Sequence, residues 1–176
     1  MLYVEKDNKI ILSDTDLNRL KTTLKFMPDF SESDIKETNK EIENGLFTDS
    51  DEYFIYKKNE ILNKLKSEFE KYNQRVNDSF LLSSLGFKIN SDPRSLENVS
   101  ALINIGKDVE FIDYNNEIHN LSVSELQILL LEIQKNICNL YKQKNILKQN
   151  ILNCSSVSEL SEIKIEFKML DFLRLE

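Results

Sequence analysis

The chain has 176 residues, a formal net charge of −7 and a pI of about 4.9. Its three glycines and two prolines are too few for an all-β fold with many tight turns, and they favour long helices. The acidic balance repels phosphate backbones, which excludes nucleic acid as a general partner. No run approaches about 18 uncharged apolar residues, so we expect no membrane insertion. Because charge at Glu5 and Lys6 interrupts the first apolar run, we expect no signal peptide. Cys138 and Cys154 form no CxxC motif, which predicts buried free thiols in a reducing compartment.

Residues 1–49 predict a small N-terminal module of one β-hairpin and two short helices. Leu2–Val4 and Lys9–Leu12 are apolar runs that flank Asp7-Asn8, which is typical of a hairpin. The predicted helices cover residues 14–26 and 32–43, the first stopped by Pro28 and the second by Asn44-Gly45.

Helix starts are marked by a serine that precedes an acidic residue by three positions, as in a capping box. The four pairs are Ser13 with Asp16, Ser31 with Asp34, Ser122 with Glu125, and Ser156 with Glu159. Asp92 before Pro93 predicts a fifth start, with proline at the first helical position.

Residues 50–85 predict a long helical stalk that ends near Ser84. At about 1.5 Å per residue this helix would span about 50 Å. It carries a heptad seam, typical of a coiled coil, formed by Ile55, Leu62, Leu65, Phe69, Tyr72 and Val76. Because an isolated helix cannot bury such a seam, we expect another helix or another copy of the chain to cover it.

Residues 86–176 predict a C-terminal module that alternates short strands and helices. A strand at 86–90 and a helix at 93–105 precede a hairpin of Val109–Ile112 and Glu117–Leu121. A second long helix follows Ser122, and a last helix runs from Ser156 to about Leu173. The seam of the long helix contains Lys144 and seven apolar residues: Leu126, Leu130, Ile133, Ile137, Leu140, Leu147 and Ile151.

These elements together predict a mainly α chain with small β-hairpins, an α+β fold. Long heptad-patterned helices would form a helical bundle or a coiled-coil stalk, with the small C-terminal module attached. An intrachain pairing of the two long helices would satisfy both seams as well.

The residues that could carry chemistry are scattered, and each has a structural explanation. His119 is the only histidine, and no ligand spacing joins it to Cys138 or Cys154. A nucleophilic pair of His119 with either cysteine stays open, although free cysteine beside an apolar seam usually serves as a small hydrophobe.

The acidic and basic clusters point to structure rather than to sites. Asp113, Asn115 and Glu117 resemble half of a calcium loop, but a hairpin turn accounts for them better. The carboxylate pairs Asp14 with Asp16 and Asp49 with Asp51 lie at predicted helix N-termini, where the helix dipole favours carboxylates. A solvated helix face explains the three lysines Lys142, Lys144 and Lys148. We therefore predict no catalytic residue, no cofactor and no metal site.

A resemblance to a known protein family covers roughly residues 80–165. It is carried by Gly86-Phe87, Asp92, Ser95, Asn98, Val109–Asp113, Asn116–His119, Leu121, Glu125-Leu126, Tyr141, Leu147, Ile151 and Leu160. This pattern resembles an uncharacterised domain near the C-terminus of bacteriophage tail-fibre and tail-fibre-assembly-like proteins. Phe111 stands where that family usually carries tryptophan.

The resemblance implies a non-enzymatic tail protein, made in the bacterial cytoplasm and located in the virion, near the fibre or the baseplate. Its partners would be tail-fibre or baseplate proteins. The heptad seam of the predicted stalk separately predicts self-association, as a dimer or trimer. The alternative is a tail-fibre assembly chaperone that is absent from the mature particle. The family has no known functional residues, so the resemblance assigns none here.

Overall fold

The computed structural model describes residues 1–7, 9–73 and 80–174. It combines helices with small antiparallel sheets, which confirms the coarse fold class. The chain divides into two compact units, Met1–Glu60 with Ser155–Leu160, and Ile61–Cys154 with Ser161–Glu176. The three-part domain division stays a prediction.

The described helices, numbered α1 to α5, are Leu17–Leu24, Asp51–Asn73, Pro93–Ile105, Val123–Asn153 and Val157–Glu162. The described strands, numbered β1 to β9, are Leu2–Lys6, Lys9–Asp14, Ile35–Glu37, Ile42–Glu43, Leu46–Phe47, Phe80–Leu82, Lys88–Asn90, Val109–Ile112 and Ile118–Leu121.

The first unit is built on a three-stranded sheet of order β2-β1-β3, against which α1 packs. The predicted hairpin is confirmed as β1 and β2, while Asn8 of its turn lies outside the described residues. Val4, Leu20 and Leu24 form the buried core between sheet and helix. α1 is shorter than predicted, because Asp16 rather than Ser13 caps it and Ser13 lies in β2.

The predicted helix over residues 32–43 is wrong. The Ser31 capping box is present, but it begins only one 3-10 turn, Glu32–Asp34. Ile35 then pairs with Val4, so the chain continues as the third strand of the sheet. Burial of Ile35 against the core of this unit outweighs the local helix signal.

Asn44-Gly45 is a hairpin turn rather than a helix terminator. Both residues have positive φ, 51° and 75°, and they join β4 to β5 as a two-residue loop. Positive φ at both central positions is the geometry of a type I′ turn, which favours Asn-Gly. The dipeptide therefore fixes the register of Ile42 opposite Phe47.

Replacing Gly45 tests how tightly this turn is packed. A Cβ at Gly45 would lie 2.7 Å from the carbonyl oxygen of Ile10, whereas one at Gly106, at a similar φ, would meet nothing within 4 Å. We expect Gly45→Ala to lower the free energy of unfolding by about 3 kcal/mol and Gly106→Ala by about 1 kcal/mol. Urea denaturation followed by circular dichroism measures both, and equal losses would contradict the close approach at Gly45.

The second unit contains the predicted strand–helix–hairpin–helix order. α3 starts at the Asp92-Pro93 signal and ends at Gly106 in the left-handed conformation, as predicted. The predicted hairpin is confirmed as β8 and β9, and the Ser122–Glu125 capping box begins α4. α3 packs along α4. The main buried core consists of Leu81, Ile89, Val99, Leu121, Leu126, Leu129 and Ile133.

The predicted continuation of the first long helix to Ser84 is wrong. α2 is described to Asn73, and Phe80–Leu82 is a strand paired with Lys88–Asn90. This register places Leu81 opposite Ile89, and both are essentially fully buried in the core. Val76, the last predicted seam residue, lies outside the described residues.

The predicted last helix is also too long, because α5 ends at Glu162. Residues 163–170 carry neither helix nor strand and run beside α4. Gln143 holds this segment by both ends of its amide, with Nε2 donating to Lys168 O at 2.8 Å and Oε1 accepting from Lys168 N at 2.9 Å. Phe167 is buried.

Two buried polar side chains of α4 tie separate segments to the helix. The Glu132 carboxylate accepts from the Ser83 hydroxyl at 2.6 Å and from the Ser84 amide at 3.0 Å. Asn136, 0% exposed, donates to Ser91 Oγ at 2.9 Å and accepts from the amide of Leu170 at 2.9 Å. These two residues therefore set the positions of the turn after β6, the start of α3 and the C-terminal segment.

Substitutions at Glu132 measure how much its hydrogen bonds to Ser83 and Ser84 stabilise the fold. Glu132→Ala leaves the Ser83 hydroxyl and Ser84 amide without their acceptor, so the free energy of unfolding should fall by about 3 kcal/mol. Glu132→Gln retains an oxygen acceptor and should lower the free energy of unfolding by about 1 kcal/mol. Gln134→Ala, at an exposed position of the same helix, should stay within about 0.5 kcal/mol of wild type in urea denaturation. An alanine variant at residue 132 as stable as this control would contradict the proposed connection.

Candidate docking surface

The predicted seam residues lie mostly inside the chain. The buried ones are Leu65, Phe69, Leu126, Ile133, Leu140 and Ile151. The half-buried ones are Leu62, Tyr72, Leu130, Ile137 and Leu147. Ile55 differs from the others, because 56% of it is exposed. Whether these residues also form an oligomer seam stays a prediction.

Aromatic contacts cover the seam of α2 within the second unit. The Phe69 ring lies 4.9 Å from that of Tyr141 and 5.5 Å from that of Phe167. Tyr72 donates its hydroxyl to the carbonyl of Phe167 at 3.2 Å. Lys144, expected at a seam position, places its Nζ 4.2 Å from the centre of the Phe69 ring, which is a cation–π contact.

The opposite side of α4 exposes large apolar side chains, with Tyr141 at its edge, where its ring also contacts Phe69. Its most exposed apolar members are Leu131, Tyr141 and Ile146, each about half exposed, at 54%, 47% and 51%. We define the α4 outer face as the exposed residues Ile128, Leu131, Lys135, Cys138, Tyr141, Lys142, Asn145, Ile146, Gln149 and Leu152. Spacings of three and four place these residues on one side of the helix.

Two shallow hollows lie along the α4 outer face. One is lined by α4 alone and contains Cys138, Tyr141 and Ile146. The other lies where Ile128 and Leu131 meet Leu170 and Phe172 of the C-terminal segment. Exposed apolar side chains that line hollows are typical of surfaces that bind other proteins.

The charge of this face is opposite to that of the whole chain. Residues 133–158 contain no aspartate or glutamate, although the chain carries a net charge of −7. The exposed Lys135, Lys142 and Lys148 form no ion pair with any described residue. The combination of apolar and basic residues makes α4 the chain's candidate docking surface.

A cluster in the β8–β9 hairpin is the chief alternative site. Asp113, Glu117 and His119 each bring one ligand atom within 4.8 Å of the others, so the group could hold a metal ion. The buried Asp113 carboxylate already accepts from the amides of Asn115 and Glu117 at 2.8 Å and lies 3.2 Å from His119 Nε2. The His119 ring stacks on Phe87 at 4.0 Å. These contacts account for the cluster as the hydrogen-bonded turn of a hairpin.

Two opposing effects act on the pKa of Asp113. Burial raises it, but the hydrogen bonds from the Glu117 amide, His119 and the Asn115 amide outweigh burial and leave the pKa below its ordinary value. The charged carboxylate is therefore the form that stabilises the hairpin. This contribution is present above the ordinary aspartate pKa and is lost as the pH falls through the lower value in the folded protein.

Asp113→Asn tests this pH dependence. At pH 7 the variant should be less stable than wild type, because an amide cannot replace the charged partner of His119. The difference should shrink as the pH falls from the ordinary aspartate pKa of about 3.9 toward the lower pKa of folded Asp113, because in this range the unfolded chain binds a proton more readily than the folded one. Urea denaturation across this range measures it, with the exposed Asp108→Asn as control. A difference in stability that stays constant with pH would contradict the claim that the charged Asp113 carboxylate stabilises the hairpin.

The remaining candidates have structural partners. Asp16 caps α1, Asp14 forms an ion pair with Arg19 at 2.9 Å, and Asp49 forms one with Lys40 at 2.8 Å. Asp51 is the first residue of α2, where the helix dipole favours a carboxylate.

The prediction that both cysteines are buried is wrong. Cys138 is exposed on the α4 outer face, and Cys154 is half-buried. The sequence predicts Cys138 beside the apolar seam of the helix, but it lies on the opposite, exposed side. The exposed stripe itself has a sequence signal, since Leu131, Cys138, Asn145 and Leu152 recur every seven residues.

No family model, curated protein sequence or solved structure matches the chain. In the part of the chain that the structure describes, no helix is long and apolar enough to cross a membrane.

Proposed function

We propose that this chain is a non-enzymatic bacteriophage tail protein that works through protein–protein contacts near the fibre or the baseplate. It would be made in the bacterial cytoplasm and carried in the virion tail. Its partners would be tail-fibre or baseplate proteins, and it would need no cofactor. The observation that carries the proposal is the α4 outer face, an apolar and basic surface on an otherwise acidic chain.

The resemblance to tail proteins supplies the setting, and the roles of its residues support it. Asp92 caps α3, Asp113 accepts the hydrogen bonds of the hairpin turn, and Leu121 and Leu126 are buried in the core of the second unit. These four residues help to specify the packed second unit. A second protein with the same pattern would be expected to share this module while differing on its surface.

The proposed oligomeric state is limited by which seam residues the fold leaves exposed. The seam of α4 is largely covered by the chain itself, so it is not required for a dimer or trimer. A homo-oligomer is a further proposal, and the exposed Ile55 on α2 is the seam residue best placed to support it. Light scattering of the purified chain, compared with Ile55→Asp, tests that arrangement.

The second candidate function is a tail-fibre assembly chaperone that leaves before the particle is complete. The α4 outer face favours it equally, because a chaperone also needs an apolar surface for its client. Mass spectrometry of purified particles separates the two functions. Presence of the chain supports a virion component, and its absence, with the chain bound to fibre protein in infected cells, supports a chaperone.

Ile146→Asp tests whether the α4 outer face makes the essential contact. The variant places a charge in the apolar face and should lower the amount of the chain in purified particles at least about tenfold. Ile105→Asp is a matched control, since Ile146 and Ile105 both lie on helices and are about half exposed, 51% and 52%. Quantitative mass spectrometry of particles from complemented infections gives the amounts. Loss with Ile105→Asp but not with Ile146→Asp would assign the contact to α3 instead.

A further inference from the structure

We propose that the α4 outer face binds an acidic amphipathic helix of a partner protein. The inference rests on the proposed docking function and goes on to name the chemistry of the partner. It is carried by the joint arrangement, along one helix, of exposed apolar residues and of lysines that form no ion pair with any described residue.

The shape of the surface fits a helix. From Ile128 to Leu152 the face follows a single helix, α4, and spans about 36 Å at 1.5 Å per residue. Its apolar positions lie three or four residues apart, which is the spacing that meets the apolar stripe of another helix. An extended peptide would need a free strand edge to pair with, whereas a helix satisfies its own backbone hydrogen bonds and needs only side-chain contacts.

The charge of the surface selects an acidic partner. Lys135, Lys142 and Lys148 flank the apolar side chains and have no acidic partner among the described residues. Lys144 differs, because its ammonium group lies over the Phe69 ring on the inner side. Glutamates beside the apolar stripe of a docked helix would therefore meet uncompensated lysines, as they do at the edges of a coiled-coil seam.

The same charges disfavour the other occupants. A second copy docked through the same face would bring lysines against lysines. Anionic lipid and nucleic acid would meet the repulsion of a chain with a net charge of −7 once they extended beyond this single helix. A partner helix is narrow enough to contact the basic strip alone.

Binding of designed peptides tests the proposal on the full-length chain. The probe is a fluorescent peptide of about three heptads, with leucine at a and d and glutamate at e and g; a matched peptide carries lysine at e and g. Fluorescence anisotropy at low salt should show the acidic peptide binding at least about tenfold more tightly than the basic one. The affinity for the acidic peptide should fall as salt is added, because the charges are exposed.

A charge-reversal variant locates the contact. Lys135→Glu combined with Lys142→Glu should weaken binding of the acidic peptide at least about tenfold and strengthen binding of the basic one. Lys64→Glu combined with Lys107→Glu reverses two exposed lysines elsewhere and should leave both affinities unchanged. Circular dichroism of each variant confirms that the helices are retained.

Four results would overturn the proposal: no binding of the acidic peptide, equal binding of the two peptides, preferential binding to phosphatidylglycerol vesicles, or self-association that Ile146→Asp abolishes. The vesicle result would assign the face to a membrane surface, and the last would assign it to a second copy. If the acidic peptide fails while Ile146→Asp still depletes the chain from particles, the docking function stands and only the acidic chemistry of the partner is wrong.

Discussion

The fold of the second unit depends on two buried polar side chains that stand one turn apart on α4. Glu132 and Asn136 would be costly to bury alone, because an unpaired polar group loses its hydrogen bonds to water. Their partners come from three other segments, represented by Ser83, Ser91 and Leu170. Each segment therefore has one position along α4 at which these hydrogen bonds are made, and apolar packing alone would not select it so sharply.

This constraint also decides which side of α4 faces solvent. With Asn136 directed inward, Leu131 faces outward, because five residues at about 100° per residue place it on nearly the opposite side of the helix, and it is 54% exposed. Lys144 places its ammonium group over the Phe69 ring. The candidate docking surface therefore depends on the same side-chain contacts that hold the unit together.

The elements predicted correctly from the sequence are those with short-range signals. The Asp92-Pro93 start, the Ser122–Glu125 capping box and the β8–β9 turn each lie within a few residues and act through local hydrogen bonds. The wrong predictions concern segments whose secondary structure depends on residues distant in the sequence. Leu81 is a strand residue because Ile89 lies opposite it in the core. Residues 163–170 do not continue the last helix, and Gln143 binds the backbone of Lys168 within them.

The candidate docking surface could be predicted only in part, because α4 has two apolar stripes with the same period. The inner stripe of Leu126, Ile133 and Leu140 is the more regular, and a search for the strongest heptad therefore finds it. The outer stripe is interrupted by Lys135 and Asn145 and is typical of a solvated face when read alone. The outer stripe indicates a docking surface only once the structure shows that the chain itself covers the inner stripe. Water then contacts the remaining leucine and isoleucine side chains, an unfavourable arrangement that a partner helix would relieve by burying them.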